Sequence, residues 1–328
     1  MTIQLSRPSR VASIASFQPT PEGSLDANAL AFFARVVEAG NFANAARELG
    51  LTRAAVSRRV AAIEQALQQT LFVRSTRSVS LTASGRSLFS HARLVSQAVD
   101  NARHSLQAQH GQLQGSLRIT ALPIFARSVL LPLLAQFRQH HPGLRLDLYF
   151  TNRRVDLASE SIDVGFRATA TPPEDYIATP VLSFELGAYA APGTAAGLQH
   201  PQQLAEFDCL LFGHWGMAAT LPWYRPADAA NAAQRCLLEF SPAVQGDDLS
   251  CLIELAISGA GIVLAPDFAV RDAVHAGTLQ RRLPQWQLQL PEGNTLYALT
   301  LPARLAGNAA RELVRFVQTQ LTPVPDED

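Results

Sequence analysis

Three residues constrain this chain most. Ala46 is followed four positions later by Gly50, and Val56 stands six positions beyond that. A small side chain lets two helices cross closely. Glycine takes the left-handed turn conformation that a side chain resists. Val56 then returns the second helix to the first. This is the spacing a helix-turn-helix needs. The flanks agree. From Asp26 the apolar residues Leu30, Phe33 and Val37 repeat at helical spacing, and Gly40 ends the run. Asn41 is a good N-cap for a helix over Phe42–Leu49. Thr52 caps a third helix from Arg53 to about Leu67, with Val56, Val60, Ile63 and Leu67 on its inner face.

Charge supports a nucleic-acid role for this end. The chain has no Lys, and its 27 basic residues are balanced by 27 acidic ones. Residues 1–110 hold 12 Arg against 6 Asp and Glu, whereas residues 111–328 hold 15 against 21. A basic end on a neutral chain suits a polyanionic partner. The Arg-only usage reads first as composition bias. Residues 1–24 read as a flexible arm, with contact to DNA through Arg7 and Arg10 as the alternative.

The helix after Gly50 is expected to enter the major groove by its N-terminus. Arg53 and Arg58 can donate to guanine edges or phosphates, Ala54 can pack on a thymine methyl, and Thr52 and Ser57 can hydrogen-bond either. Asn41 joins this set at the preceding helix start. Arg47 and Arg59 are expected on the bundle side. Next, Leu71–Leu81 reads as two β-prone runs around a polar tip carrying Arg74 and Arg77, a small wing for backbone or minor groove. Thr82 opens a long helix to about Gln109. Leu88, Ala92, Val95, Val99, Ala102 and Leu106 form an a/d seam that predicts pairing with a second copy of the chain.

Gly111–Gly115 reads as a hinge, after which strands and helices alternate, predicting a mostly parallel α/β architecture. Strands are expected at 117–120, 144–150, 162–166, 209–212, 261–264 and 296–301. Helices are expected at 123–140, 248–258, 267–276 and 307–321. In open α/β sheets ligands sit at strand ends. Those positions bring forward Thr120, Leu122, Thr151, Asn152, Phe166 and Arg167 in the first half. Phe212, His214, Trp215, Gln245, Gly246 and Asp247 follow in the second. A small anionic or aromatic ligand is the expectation.

Residues 25–86 resemble the N-terminal domain of LysR-type transcriptional regulators. The resemblance rests on Ala45-Ala46-Arg47-Glu48-Leu49 through Ala55-Val56-Ser57-Arg58 to Ile63-Glu64, and on Leu71-Phe72-x-Arg74-x-x-Arg77-x-Val79-x-Leu81-Thr82-x-x-Gly85. It continues through Gly115-x-Leu117-Arg118-Ile119, His141-Pro142-x-Leu144-x-Leu146 and Gly259-x-Gly261-Ile262-x-Leu264-x-Pro266. Arg53 departs from the uncharged residue many members carry. The resemblance implies a winged helix-turn-helix over 25–82, a linker and dimerisation helix over 83–111 and an effector domain over 112–322, with 323–328 as a tail. The effector domain is expected to be two-lobed, α/β and periplasmic-binding-protein-like. Lobe I takes about 114–187 and 296–322 and lobe II about 188–295, with chain crossings near 182–190 and 295–301. It also implies a homodimer or homotetramer on an interrupted inverted repeat of double-stranded DNA.

Other classes fit less well. There is no G-x-S-x-G elbow, phosphate loop or H-E-x-x-H, and Gly259-x-Gly261 lacks the third glycine of a dinucleotide fingerprint. No metal, cofactor or catalytic residue is expected. His140-His141 at a helix end reads as cations suited to the dipole. Cys209, Cys236 and Cys251 make no disulfide framework and fit a reducing cytoplasm. No apolar run is long enough for a membrane helix. A plain ligand-binding protein would leave the basic N-terminal unit unexplained; a DNA-binding regulator without a ligand is the alternative that fits best.

Overall fold

The computed structural model describes residues 25–73, 80–107, 113–213, 219–225, 236–288, 293–302 and 307–321. It divides into two compact units, Met1–Ser96 and Gln97–Asp328.

The N-terminal unit is built on α1 (Ala27–Glu38), α2 (Phe42–Glu48) and α3 (Arg53–Leu67). Each starts on a side-chain cap. Asp26 accepts from the Ala29 N–H at 2.7 Å, Asn41 from Asn44 at 2.8 Å and Thr52 from Ala55 at 3.2 Å. The predicted inner face of α1 is corrected. Ala29, Phe32, Phe33 and Val36 are buried, while Leu30 and Val37 lie half-buried at the rim, because the helix is turned to seat both phenylalanines. Gly50 has φ +65, and the Leu51 N–H closes back on the Ala46 carbonyl at 2.8 Å. Ala45, Ala46, Val56, Val60 and Ile63 complete the core.

The wing is a two-residue pairing of β1 (Phe72–Val73) with β2 (Ser80–Leu81). Its tip, with Arg74 and Arg77, lies outside the described residues. Glu64 anchors the wing by accepting from the Leu71 and Phe72 N–H groups at 2.7 and 3.2 Å. Thr82 caps α4 (Ala83–Gln107) through the Gly85 N–H and also donates to the Thr70 carbonyl at 2.6 Å.

With 25 residues, α4 is about 37 Å long. Its expected seam divides. Ala92 is fully buried in the core of its own unit, and Leu88 and Phe89 pack on that core. Ala92 is therefore removed from any partner's reach, since a periodic stripe does not say whose core it meets. Val95 is half-buried and Val99 is 39% exposed. Ala102 and Leu106 lie where no side chain is described.

The C-terminal unit has two lobes. Lobe I is a five-stranded sheet of β3 (Gly115–Ala121), β4 (Leu144–Phe150), β5 (Val164–Ala168), β6 (Ile177–Ser183) and β15 (Thr295–Thr300), in the order β4-β3-β5-β15-β6. Helix α5 (Pro123–Phe125) runs through a π-helical turn (Ala126–Leu130) into α6 (Leu131–His140), and this segment and α9 (Asn308–Leu321) contribute to the same core. Lobe II is an eight-stranded sheet. One side of it runs from β7 (Leu186–Ala190) through β12 (Ile262–Pro266) and β8 (Cys209–Phe212) to the edge strand β11 (Val244–Gly246). Its other strands are β9 (Ala219–Tyr224), β10 (Cys236–Phe240), β13 (Gln280–Arg282) and β14 (Gln287–Leu288). Helices α7 (Leu249–Ile257) and α8 (Asp267–His275) pack on it.

The expectation of a mostly parallel sheet is corrected. Among the described residues, only β4-β3-β5 and β11-β8-β12 are parallel, and every other pairing is antiparallel. The first crossing between lobes, at 184–185, lies within the expected 182–190, and the second lies before Thr295, ahead of the expected 295–301, because β15 belongs wholly to lobe I. The two crossings touch where the Phe184 N–H donates to the Asn294 carbonyl at 3.0 Å.

A Cβ at Gly85 would lie 2.1 Å from the Leu71 carbonyl oxygen, whereas one at Gly50 would meet nothing within 4 Å. Gly50→Ala is therefore expected to lose about 1–2 kcal/mol through backbone strain alone. Gly85→Ala is expected to lose at least as much, by about 1–3 kcal/mol, through forced displacement of β1. Urea unfolding of the two variants beside wild type checks both.

Candidate functional site

Helix α3 presents a face built for contact. Val56 and Val60 face the core, which leaves Thr52, Arg53, Ala54, Ser57 and Arg58 all exposed around its first two turns. The Thr52 oxygen is occupied as the cap, and its hydroxyl proton remains available to an outside acceptor. Asn41 is likewise committed as the α2 cap. Arg59 lies over the Phe32 ring at 4.4 Å, so it belongs to the bundle, as expected. Cationic forks at the positive end of a helix can meet phosphate and base edges together.

In the C-terminal unit the ends of β3, β4 and β5 lie side by side in lobe I, and those of β8 and β11 in lobe II. Thr120 is fully buried and its Oγ1 accepts from Arg167 Nη2 at 2.8 Å. Arg167 Nη1 donates to the Phe166 carbonyl at 2.9 Å. Phe166 is fully buried as well, and its ring packs on Phe125 at 5.7 Å. Alternation along β5 puts Phe166 and Arg167 on opposite faces, and that signal was available in the sequence. Leu122 is half-buried and its N–H reaches the Phe166 carbonyl. Thr151 accepts from the Arg153 N–H at 3.2 Å and donates its own N–H to Ala121. In lobe II, Phe212 is 42% exposed, and Gln245 and Gly246 are half-buried on the adjoining strand. His214 and Trp215 lie outside the described residues.

Side-chain contacts tie lobe to lobe. Phe125 packs edge-on against Phe268 at 6.1 Å, and Phe268 against Phe184 at 5.5 Å. At the rim, Asn152 Nδ2 donates to the Asp247 carbonyl at 2.8 Å. Around the segment after β4, Arg153 grips Glu160 with two bonds of 2.6 and 2.7 Å and reaches the Tyr149 hydroxyl. These bonds raise the Arg153 pKa and hold Glu160 below the usual carboxylate range. Burial, and then the charge of Arg153, press Arg167 down to about 10.

The thiols are not poised as thiolates. Burial pushes Cys209 up to about 12 and raises Cys236, and a hydrogen bond to the Asp248 carboxylate raises the exposed Cys251. No cluster of His, Cys, Asp and Glu able to hold a metal occurs among the described residues. A cavity of about 400 Å³ lies between the end of α6 and the start of α9, lined by Leu113, His141, Asn308, Arg311, Glu312 and Arg315. His141 is corrected: burial favours its neutral form and outweighs the pull of Glu312.

A winged helix-turn-helix joined to a two-lobed α/β domain defines a class, the ligand-responsive DNA-binding regulators. Residues 27–86 match "Bacterial regulatory helix-turn-helix protein, lysR family", and residues 110–322 match "LysR substrate binding domain". An HTH-type transcriptional repressor of Pseudomonas aeruginosa (strain UCBPP-PA14) is 30% identical over 304 residues, covering 90% of this chain and 95% of the relative. CrgA of Neisseria meningitidis serogroup B is 30% identical over 250 residues, covering 76% and 82%. The solved structure of N. meningitidis CrgA, a LysR-type transcriptional regulator, aligns with TM-score 0.56 at 26% identity, over 92% of this chain and all of that one. A full-length variant of OxyR from P. aeruginosa shares the fold with TM-score 0.65 at 17% identity, over 90% and 94%. The chain belongs to the LysR family of transcriptional regulators. It is a DNA-binding regulator with a helix-turn-helix domain and a two-lobed effector-binding domain.

Because the folded pKa of His141 is lowered from 6.5, the unfolded chain binds the proton more readily. Its contribution to stability is therefore present above about 6.5 and lost as pH falls below that value, down to the folded pKa. A His141→Gln variant is expected to show a flatter fall in unfolding midpoint between neutral and mildly acidic pH.

Proposed function

We propose that this regulator reads DNA with Thr52, Arg53, Ala54, Ser57 and Arg58 of α3 in the major groove. Arg74 and Arg77 of the wing flank them on the backbone or in the minor groove. The observation that carries this is the exposed face of the first two turns of α3, held outward by buried Val56 and Val60. Asn41 borders the groove at the capped start of α2. The protein acts in the cytoplasm as a homodimer or homotetramer on an interrupted inverted repeat, without catalytic turnover. Val95, Val99, Ala102 and Leu106 of α4 form the pairing seam, and the exposed Val99 supports that assignment.

The effector sits between the lobes, where Thr120, Leu122, Thr151, Arg167, Phe212, Gln245 and Gly246 converge. Binding there shifts the population of lobe arrangements and with it the spacing of the paired DNA-reading heads.

Binding of the full-length protein to DNA upstream of its own gene, measured against an unrelated duplex across a salt series, tests the reading. Preference for the upstream DNA and a steep fall of affinity with salt are expected. Arg58→Ala is expected to lose about 1–3 kcal/mol of that preference if it reads a base edge. Equal affinity for both duplexes at every salt concentration would overturn the self-regulatory site, and no binding at low salt would overturn the groove assignment. Val99→Glu is expected to weaken self-association in sedimentation while leaving the fold intact.

A further inference from the structure

We propose that the cavity at the far end of lobe I is a second ligand site, one that takes a tetrahedral oxyanion of the phosphate class. It stands apart from the effector position between the lobes. Leu113 precedes β3, whereas Thr120 and Ala121 close that strand, so its seven residues set the two places about 20 Å apart. Aromatic packing holds the walls of the cavity. His141 stacks on Phe137 at 4.7 Å and Phe137 on Phe316 at 5.5 Å, which fixes the end of α6 against α9.

The lining is rich in donors. Its side-chain oxygens belong to Asn308 and Glu312, and each already accepts from an arginine. Asn308 accepts from Arg311, and both oxygens of Glu312 accept from Arg315 at 2.7 Å. A guanidinium carries five N–H groups, so both arginines have donors beyond these bonds, and the Asn308 amide nitrogen adds two more. Arg311 and Arg315 stand four residues apart on α9, which places them on one face of the helix. From the end of α6 comes His141, whose Nδ1 is buried and meets no hydrogen-bond partner among the described residues. A buried polar atom in that condition is unfavourable, and a ligand that brings an acceptor relieves it. Two guanidinium charges against one carboxylate leave the described lining with one positive charge in excess. A cationic lining whose oxygens are in use selects a ligand that only accepts. One guanidinium satisfies the two oxygens of a carboxylate by itself; donors arriving from two helices fit oxygens spread about a tetrahedron.

The test is the thermal unfolding midpoint of the full-length protein titrated with inorganic phosphate, glycerol 3-phosphate and acetate, each against sodium chloride at equal ionic strength. A saturable rise with both phosphates is expected. Arg311→Gln, at an exposed position, is expected to need about ten-fold more phosphate for half of the rise, the size of one lost charge-assisted bond. Arg311→Gln combined with Arg315→Gln is expected to abolish it. His141→Phe, which keeps the ring and loses Nδ1, is expected to weaken it as well. Arg53→Gln combined with Arg58→Gln, on the face of α3, is expected to leave the response whole. Loss of the response in that last variant would overturn the site, because the phosphate would then be sitting on α3. A rise that does not saturate and is equal in the Arg311→Gln, Arg315→Gln protein would also overturn it, since exclusion of phosphate from the protein surface acts in that way. A saturable rise with acetate that Arg311→Gln removes would overturn the tetrahedral class. The order of the two phosphates separates their sources: tighter glycerol 3-phosphate makes the occupant a phosphate monoester, tighter inorganic phosphate the free ion, and either sustains the site. None of these readouts uses DNA or the effector, so failure here leaves the regulator reading standing.

Discussion

The C-terminal unit depends on the chain passing twice between its lobes at neighbouring points. The Phe184 N–H meets the Asn294 carbonyl where the two passages run together. Two adjacent covalent connections restrain twisting of one lobe on the other but permit small changes in the opening between them. The edge-on contacts of Phe268 with Phe125 and Phe184 fill the space beside this hinge. Farther out, the Asn152 side chain of lobe I donates to the Asp247 carbonyl of lobe II.

The N-terminal unit solves a different problem, which is to hold a short helix rigid with its outer face bare. Three side-chain caps, the Gly50 turn and the Val56 and Val60 contacts fix α3 without using its exposed residues. Gly85 extends this economy to the wing. Its missing side chain lets the start of α4 press against the Leu71 carbonyl, so wing and long helix share one anchor with Glu64. Ala92 and the buried Arg93, which lies 3.7 Å from Glu38, bind the first half of α4 into the same body. Any rotation of that half carries α3 with it.

The legible parts of the sequence were those set by short-range chemistry. The caps Asn41 and Thr52, the Gly50 turn and the α3 core face each depend on residues within one or two turns, and each stands where expected. The seam was misread at Ala92 because periodicity reports an apolar stripe, not the body that covers it. The antiparallel strands β6, β9 and β10 were missed for a related reason. Pro180 lies in β6 at a sheet edge, and Pro222 lies in β9 beyond its pairing with β14, so both strands carry a residue that argues against a strand. Strand-end reasoning brought Thr120, Phe166 and Arg167 forward together, although alternation along β5 sets Phe166 and Arg167 on opposite faces. Glu64 was invisible as an anchor, because its partners lie seven and eight residues on with no spacing rule to link them.

What the sequence could not supply was the charge balance around Arg167. The C-terminal stretch has an excess of acidic residues over arginine, which by itself suggests that every arginine there is paired. Folding decides otherwise. Arg153 lies seven residues before Glu160, takes both of its oxygens and leaves Arg167 to neutral acceptors. Among the described residues, the local loop thus takes up Glu160, and Arg167 is left half-buried on neutral acceptors. The pairing of a single arginine is thus set by the nearest loop, not by the overall charge of the domain.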